Sequence, residues 1–227
     1  AIGSDAAKLL LTGIRNVAIG SGSMDACAGG ETSNVAIGFN AMGGVNEYTN
    51  TRTADTNIAI GEDALAGGVL ASGKDLISNI AIGQYALKAT STGASTGQVA
   101  IGTSTLAGMT ADSANTVIGH NAAMSLVTGE KNVTLGYHTL RNAAVGESNN
   151  IAIGSHAMTS VDEGTAGGDA DGNIAIGTDA LKGGDFAGND RQLQGNIAIG
   201  YQALTGTGTN AQTGSIAIGK SALTALT

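Results

Sequence analysis

The block N-(I/V)-A-I-G, exact or slightly varied, recurs along the whole chain, and a recurrence of that length commits the chain to a stack of like units. Its closing glycines are Gly3, Gly20, Gly38, Gly61, Gly83, Gly102, Gly119, Gly136, Gly154, Gly177, Gly200 and Gly219. Their spacings run 17, 18, 23, 22, 19, 17, 17, 18, 23, 23 and 19, so the period is irregular but bounded. The residue before the glycine is Ile in eleven of twelve copies and Leu135 in the other. Two places further back the slot is Val or Ile in ten of the eleven copies that contain it, with Thr116 as the exception. Ala stands between them in ten of twelve, replaced by Val117 and Thr134. Large, small, large is the two-residue period of a strand and does not fit a helix.

Each slot then has an expected role. The large residues, Ile19, Ile37, Ile60, Ile82, Ile101, Ile118, Ile153, Ile176, Ile199 and Ile218, are assigned to the coil interior, with Ala on the opposite face. Asn precedes the strand in nine of eleven copies, with Gln98 and Ser215 as polar substitutes, and stacked units would join these side chains in an amide ladder. The glycine supplies a turn with φ > 0 or a close backbone approach. Four residues on, Leu or Met appears in ten of twelve copies, Leu65, Leu87, Leu181 and Leu204 among them, and reads as a second short strand or corner closing the core.

No unit of about twenty residues buries its own Ile and Leu, so the units must stack on one another. The expected fold is all-β, a parallel β-roll or β-solenoid of about 12 coils, and residues 1–227 form a single repeat array. At a strand separation of about 4.8 Å, twelve coils make a rod of about 60 Å. The extra length of the longer units lies after the A-L segment, in stretches such as GGVNEYTNTRTADT, SVDEGTAGGDADG and KGGDFAGNDRQLQG, and insertions of this kind gather on one side of a solenoid. A near-copy, NAAVG ending at Gly146, stands only eight residues before Gly154 and reads as loop.

Composition agrees with a coil packed by small residues. Aromatics are 3%, Trp and Pro are absent, and glycine numbers 37, against 42% hydrophobic residues overall. A net charge of −8 without a basic run excludes binding to nucleic-acid phosphates. Cys27, the single cysteine, excludes an intrachain disulfide framework and a zinc site of several thiolates; it reads as a small loop residue, with an interchain bridge as the alternative. No apolar run approaches a membrane span, so no membrane insertion is expected, and no signal peptide is visible. The chain opens at Ala1 inside a motif, which suggests a processed product or an ordered portion of something longer.

The N-I-A-I-G block resembles the head repeats of trimeric autotransporter adhesins (YadA-like heads), which carry a similar N-S-V-A-I-G pattern. Similar N-T-A-I-G-Y-Q-A-L repeats occur in phage tail fibres, and Gly200, Tyr201, Gln202, Ala203 and Leu204 follow that form closely. The likeness covers essentially the whole chain. It implies a left-handed β-roll assembled as a homotrimer. The repeats here are longer than those of adhesin heads and lack the S after N, which favours the virion-fibre branch. The resemblance thus implies a structural, host-attachment segment of a virion tail fibre, not an enzyme, with other fibre or baseplate proteins and a cell-surface glycan or protein receptor as partners. The alternative is the head of a bacterial adhesin on the cell surface. Both locations are extracellular. Independently of family, the small Ala slot allows close approach of chains along a three-fold axis, with Ala59 and Ala175 as the residues to test.

Catalytic chemistry finds no footing. There is no G-x-S-x-G elbow and no G-x-x-x-x-G-K-(S/T) loop, and the strand slots lack the clustered carboxylates a glycan-cleaving groove needs. No cofactor is expected. His120, His138 and His156 follow anchor glycines of successive units and would line up on one edge, as exposed turn residues or as a metal ladder. Asp162, Glu163, Asp169 and Asp171, and again Asp185 and Asp190, supply oxygens for Ca2+ or simply solvated charge. Phe39, Tyr85, Tyr137 and Tyr201 sit one or two places after anchor glycines, where they either pack over a neighbouring turn or stack on sugar rings of a surface polymer.

Overall fold

The computed structural model describes residues 1–27, 29–45, 53–67, 75–89, 94–110, 112–143, 145–161, 170–183, 192–206 and 211–224. Every regular element among them is a β-strand, and none is a helix long and apolar enough to cross a membrane. The chain is an all-β parallel β-solenoid whose residues fall into two compact units, 1–114 and 115–227, built on the same repeat.

In the first unit the strands Val17–Ile19, Val35–Ile37, Ile58–Ile60, Ile80–Ile82 and Val99–Ile101 stack in parallel, one per repeat, and Ile2 adds an isolated bridge to Ile19. In the second the strands are Thr116–Ile118, Val133–Leu135, Ile151–Ile153, Ile174–Ile176, Ile197–Ile199 and Ile216–Ile218. The copy at Gly3 contributes a bridge only, so eleven strands stand where twelve coils were expected. Register is fixed slot on slot: Ala59 pairs with Ala81 and Ile60 with Ile82.

The alternation is real, but its two faces are the reverse of the sequence expectation. Ala18, Ala36, Ala59, Ala81, Ala100, Ala152, Ala175, Ala198 and Ala217 are buried in the coil. Ile19, Ile37, Ile60, Ile82, Ile101, Ile118, Ile153, Ile176, Ile199 and Ile218 point outward, Ile176 and Ile218 exposed at 36% and 66% and most of the others half-buried. The coil is too narrow for both sets. Its interior is filled from the far side by the corner residues Met24, Met42, Leu65, Leu87, Leu106, Leu140, Met158, Leu181 and Leu204, all fully buried, and opposite them the centre of the three-residue strand takes a small residue, Ala in nine strands and Val117 and Thr134 in the other two. The expectation for Leu65, Leu87, Leu181 and Leu204 therefore holds, whereas Ala59 and Ala175, sealed inside, cannot face a neighbouring chain.

The A-L segment is a corner with no strand in it. The residues two and four places after the anchor glycine take the left-handed conformation even when they are not glycine, for example Asp63 (φ 52) with Leu65 (φ 47), and Asp179 (φ 55) with Leu181 (φ 45). That conformation costs roughly 1–2 kcal/mol for an L residue. It is offset because it turns successive N–H groups alternately up and down the stack: Asp63 N–H donates to Phe39 O at 2.9 Å and Leu65 N–H to Ala86 O at 2.9 Å. Burial of each Leu adds about 1.5–3 kcal/mol. A second line of two-residue strands, Ala54–Asp55, Leu76–Ile77, Ser95–Thr96 and Asp112–Ser113 in the first unit and Leu193–Gln194 with Gln212–Thr213 in the second, precedes the Asn where the sequence suggested loop. Val145 of the near-copy forms an isolated bridge with Thr128. Cys27 is fully buried, its thiol facing the Met42 carbonyl at 3.9 Å, so it is not placed for an interchain bridge.

The Asn slot forms the expected amide ladder. Asn57 donates from its backbone N–H and its Nδ2 to Oδ1 of Asn34, at 2.9 and 3.1 Å, and Nδ2 also donates to Leu76 O at 2.7 Å. Its own Oδ1 accepts from N and Nδ2 of Asn79, both at 3.0 Å. The same pattern links Asn115 to Asn132 and Asn150 to Asn173 to Asn196. Asn57 and Asn173 therefore have both donors and both acceptor positions occupied, as a fully buried side chain of this polarity requires.

Candidate functional site

Two surfaces leave the coil with chemistry on them. The first is the outward face of the strands, a stripe two aliphatic side chains wide at every strand except Thr116–Ile118, where Thr116 takes one of the two places. Val133 and Leu135 are 42% and 48% exposed, while Thr134 between them is 1% exposed. Period-2 geometry makes this stripe unavoidable, because the slots that flank the inward Ala must point away from it.

The second is the corner after the anchor glycine. Stacking brings four rings of successive repeats into one patch: His120, Tyr137, His138 and His156. Tyr137 and His138 are stacked with centroids 3.8 Å apart, His120 stacks on Tyr137 at 5.6 Å, and His156 meets Tyr137 and His138 edge-on, both at 5.3 Å. His120 and His138 are 6.0 Å apart. The rings are oriented by neighbours: Asn121 Nδ2 donates to His138 Nε2 at 3.1 Å, and Ser155 Oγ lies 2.9 Å from His156 Nδ1. His138 is half-buried, and its pKa is held below the ordinary histidine value by burial first, then by the positive charges of Arg141, His156 and His120. The histidine alignment inferred from spacing is therefore present. Among the described residues no three His, Cys, Asp or Glu side chains form a ready metal-ligand set.

The other aromatics stand apart from this patch. Phe39 and Tyr85 belong to the first unit and Tyr201 lies two repeats beyond His156. Phe39, Tyr137 and Tyr201 are exposed, at 61%, 48% and 46%. Tyr85 is half-buried, with Lys88 Nζ over its ring at 4.3 Å, a cation–π contact that follows from their three-residue spacing on one corner. Of the carboxylates considered for Ca2+, Asp162, Glu163, Asp169, Asp185 and Asp190 lie outside the described residues. Asp171 is described, and it accepts from the Ser148 backbone N–H at 2.6 Å, a bond within the coil stack.

Sequence reasoning did not find the two buried carboxylates Glu31 and Glu147, which occupy the same slot three residues before the Asn. Glu31 accepts from the Gly29 N–H at 3.2 and 3.3 Å, and burial raises its pKa. Their only signal is position, since Ala54, Leu76 and Leu193 fill that slot in other repeats. Compared with known proteins, the chain matches no family model, no curated protein and no solved structure.

Proposed function

We propose that the chain is a structural and attachment segment of a trimeric extracellular fibre, of the virion tail-fibre kind, in which the outward Ile/Val faces of three copies cover one another. The exposed aliphatic stripe is the observation that carries this reading. A soluble chain of net charge −8 does not present a continuous aliphatic sheet face to water without a partner for it, because each uncovered Ile forgoes about 1 kcal/mol of burial. A second copy of the same face is the natural cover: it repeats at the same coil pitch, so side chains of neighbouring copies interdigitate along its length. The left-handed coil implied by the repeat resemblance belongs to this proposal, as does contact of the exposed corners and inserted loops with a cell-surface glycan or protein. The segment's role is mechanical, a rigid presentation of those corners, and no catalytic step is assigned to it.

Light scattering coupled to size exclusion tests the reading. The parent chain runs at three times the chain mass, and Ile60→Glu with Ile82→Glu shifts it to the monomer while circular dichroism keeps its β signal. A parent that is monomeric at tens of micromolar (~10⁻⁵ M) overturns the proposal.

A further inference from the structure

Beyond attachment, we infer that the corner formed by His138 and His156, with His120 alongside, is a binding site for one divalent transition-metal ion of the zinc class. The two histidines occupy the same slot of consecutive coils, and their ring centroids are 5.3 Å apart. A Zn–N bond of ~2.0–2.1 Å puts an imidazole centroid ~3.2 Å from the ion, so two imidazoles at the tetrahedral angle stand ~5.2 Å apart. The stack thus holds this pair at the separation that a shared ion requires. His120, with its ring centroid 6.0 Å from that of His138, stands beside the pair, and solvent completes the shell.

The neighbours are those that metal-bound imidazoles use. Ser155 Oγ can accept from His156 Nδ1–H, which fixes the tautomer that leaves Nε2 free to ligate. Asn121 holds the His138 ring through Nε2, and rotation of its amide lets Oδ1 accept a proton there, leaving Nδ1 as the ligand. Both histidines share the left-handed backbone conformation (His138 φ 56, His156 φ 58), so the coil projects them from equivalent points of consecutive turns. Imidazole ligands suit Zn2+, Cu2+ and Ni2+.

Calorimetric titration of the intact chain with ZnCl2 at pH 7.5 in a non-chelating buffer tests the site. His138→Asn and His156→Asn are the variants of choice, because Asn40 and Asn121 already occupy this slot at φ 54 and 52 and the corner keeps its shape. One Zn2+ per chain is expected, weakened at least about tenfold in each variant, with a zinc-dependent rise of Tm in the parent that both variants lose. Absence of saturable binding, or binding that persists in the double variant, overturns the assignment.

Discussion

At Gly61 two demands on one residue coincide. Its φ of +133° is a conformation L side chains rarely adopt, and a Cβ there would lie 2.7 Å from both the carbonyl carbon and oxygen of Gly83 in the next coil. Gly97 has φ +68° with nothing within 4 Å of the same point. Gly61→Ala is therefore expected to cost about 3 kcal/mol or more in urea unfolding, and Gly97→Asn about 1 kcal/mol or less. Equal effects would refute the close-approach account. Asn57→Ala removes a side chain whose four hydrogen bonds are all buried, stranding Leu76 O and the Asn79 amide. At about 1–3 kcal/mol per buried orphan, a loss of several kcal/mol is expected, measured the same way. The proton equilibrium of His138 sets a pH dependence. Its folded-state pKa lies below the ordinary histidine value of about 6.5, so the unfolded chain binds the proton more readily. Stability from this group is complete above pH 6.5 and is lost as pH falls toward the lowered value. Tm measured between pH 7.5 and 5 should fall less in His138→Asn than in the parent. Gly and Asn were legible in sequence because few residues serve those demands. Left-handed Leu65 and Leu87 were not, because nothing in a Leu announces a positive φ.

Among the elements, the strands show what alternation leaves undetermined. A pattern of Ile58, Ala59, Ile60 establishes two faces, but which one turns inward depends on what fills the coil from the other side, here Leu65 and its equivalents. Size alone suggested Ile; the width of the coil selects Ala. The inversion is testable, since a large residue at Ala81 overpacks a sealed interior and a small one at Ile82 only trims an outer face. Ala81→Leu is expected to destabilise by about 1–3 kcal/mol or more, and Ile82→Ala by about 1 kcal/mol. Chemical denaturation of the two variants in the oligomer-free state decides it, and the reverse order would restore the Ile-inside arrangement. The second line of strands escaped notice for a related reason. Ala54, Leu76, Ser95 and Leu193 share burial but not chemistry, so no residue type marks the slot. The aromatic corner was half legible: repeat spacing aligned three histidines, while the stacking of Tyr137 on His138 depends on corner geometry that spacing does not contain.

At the scale of the molecule, the parallel register turns local choices into columns within each of the two units: aliphatic on the outer face, amide within. If copies cover one another through the aliphatic column, Tm must rise with protein concentration by mass action, and a Tm constant over a hundredfold range of concentration would argue against assembly. The amide column has a further consequence. Rungs such as Asn57 and Asn173 are oriented the same way, Nδ2 giving one hydrogen to the Asn oxygen of the coil before it and the other to a backbone carbonyl of the coil after it, while Oδ1 accepts from the Asn of the coil after it. A partly wound stack therefore ends in an amide oxygen with two vacant positions, a socket that an Asn at the right distance along the incoming chain fills with its backbone and side-chain N–H groups, and that Gln98 and Ser215 meet with the backbone N–H. Growth by one coil re-creates the socket, so winding is templated and directional, and an incoming segment that slips by a single residue leaves it empty inside the protein. The loops between rungs can thus vary in length without shifting the register, because the check is made once per turn by the same side chain.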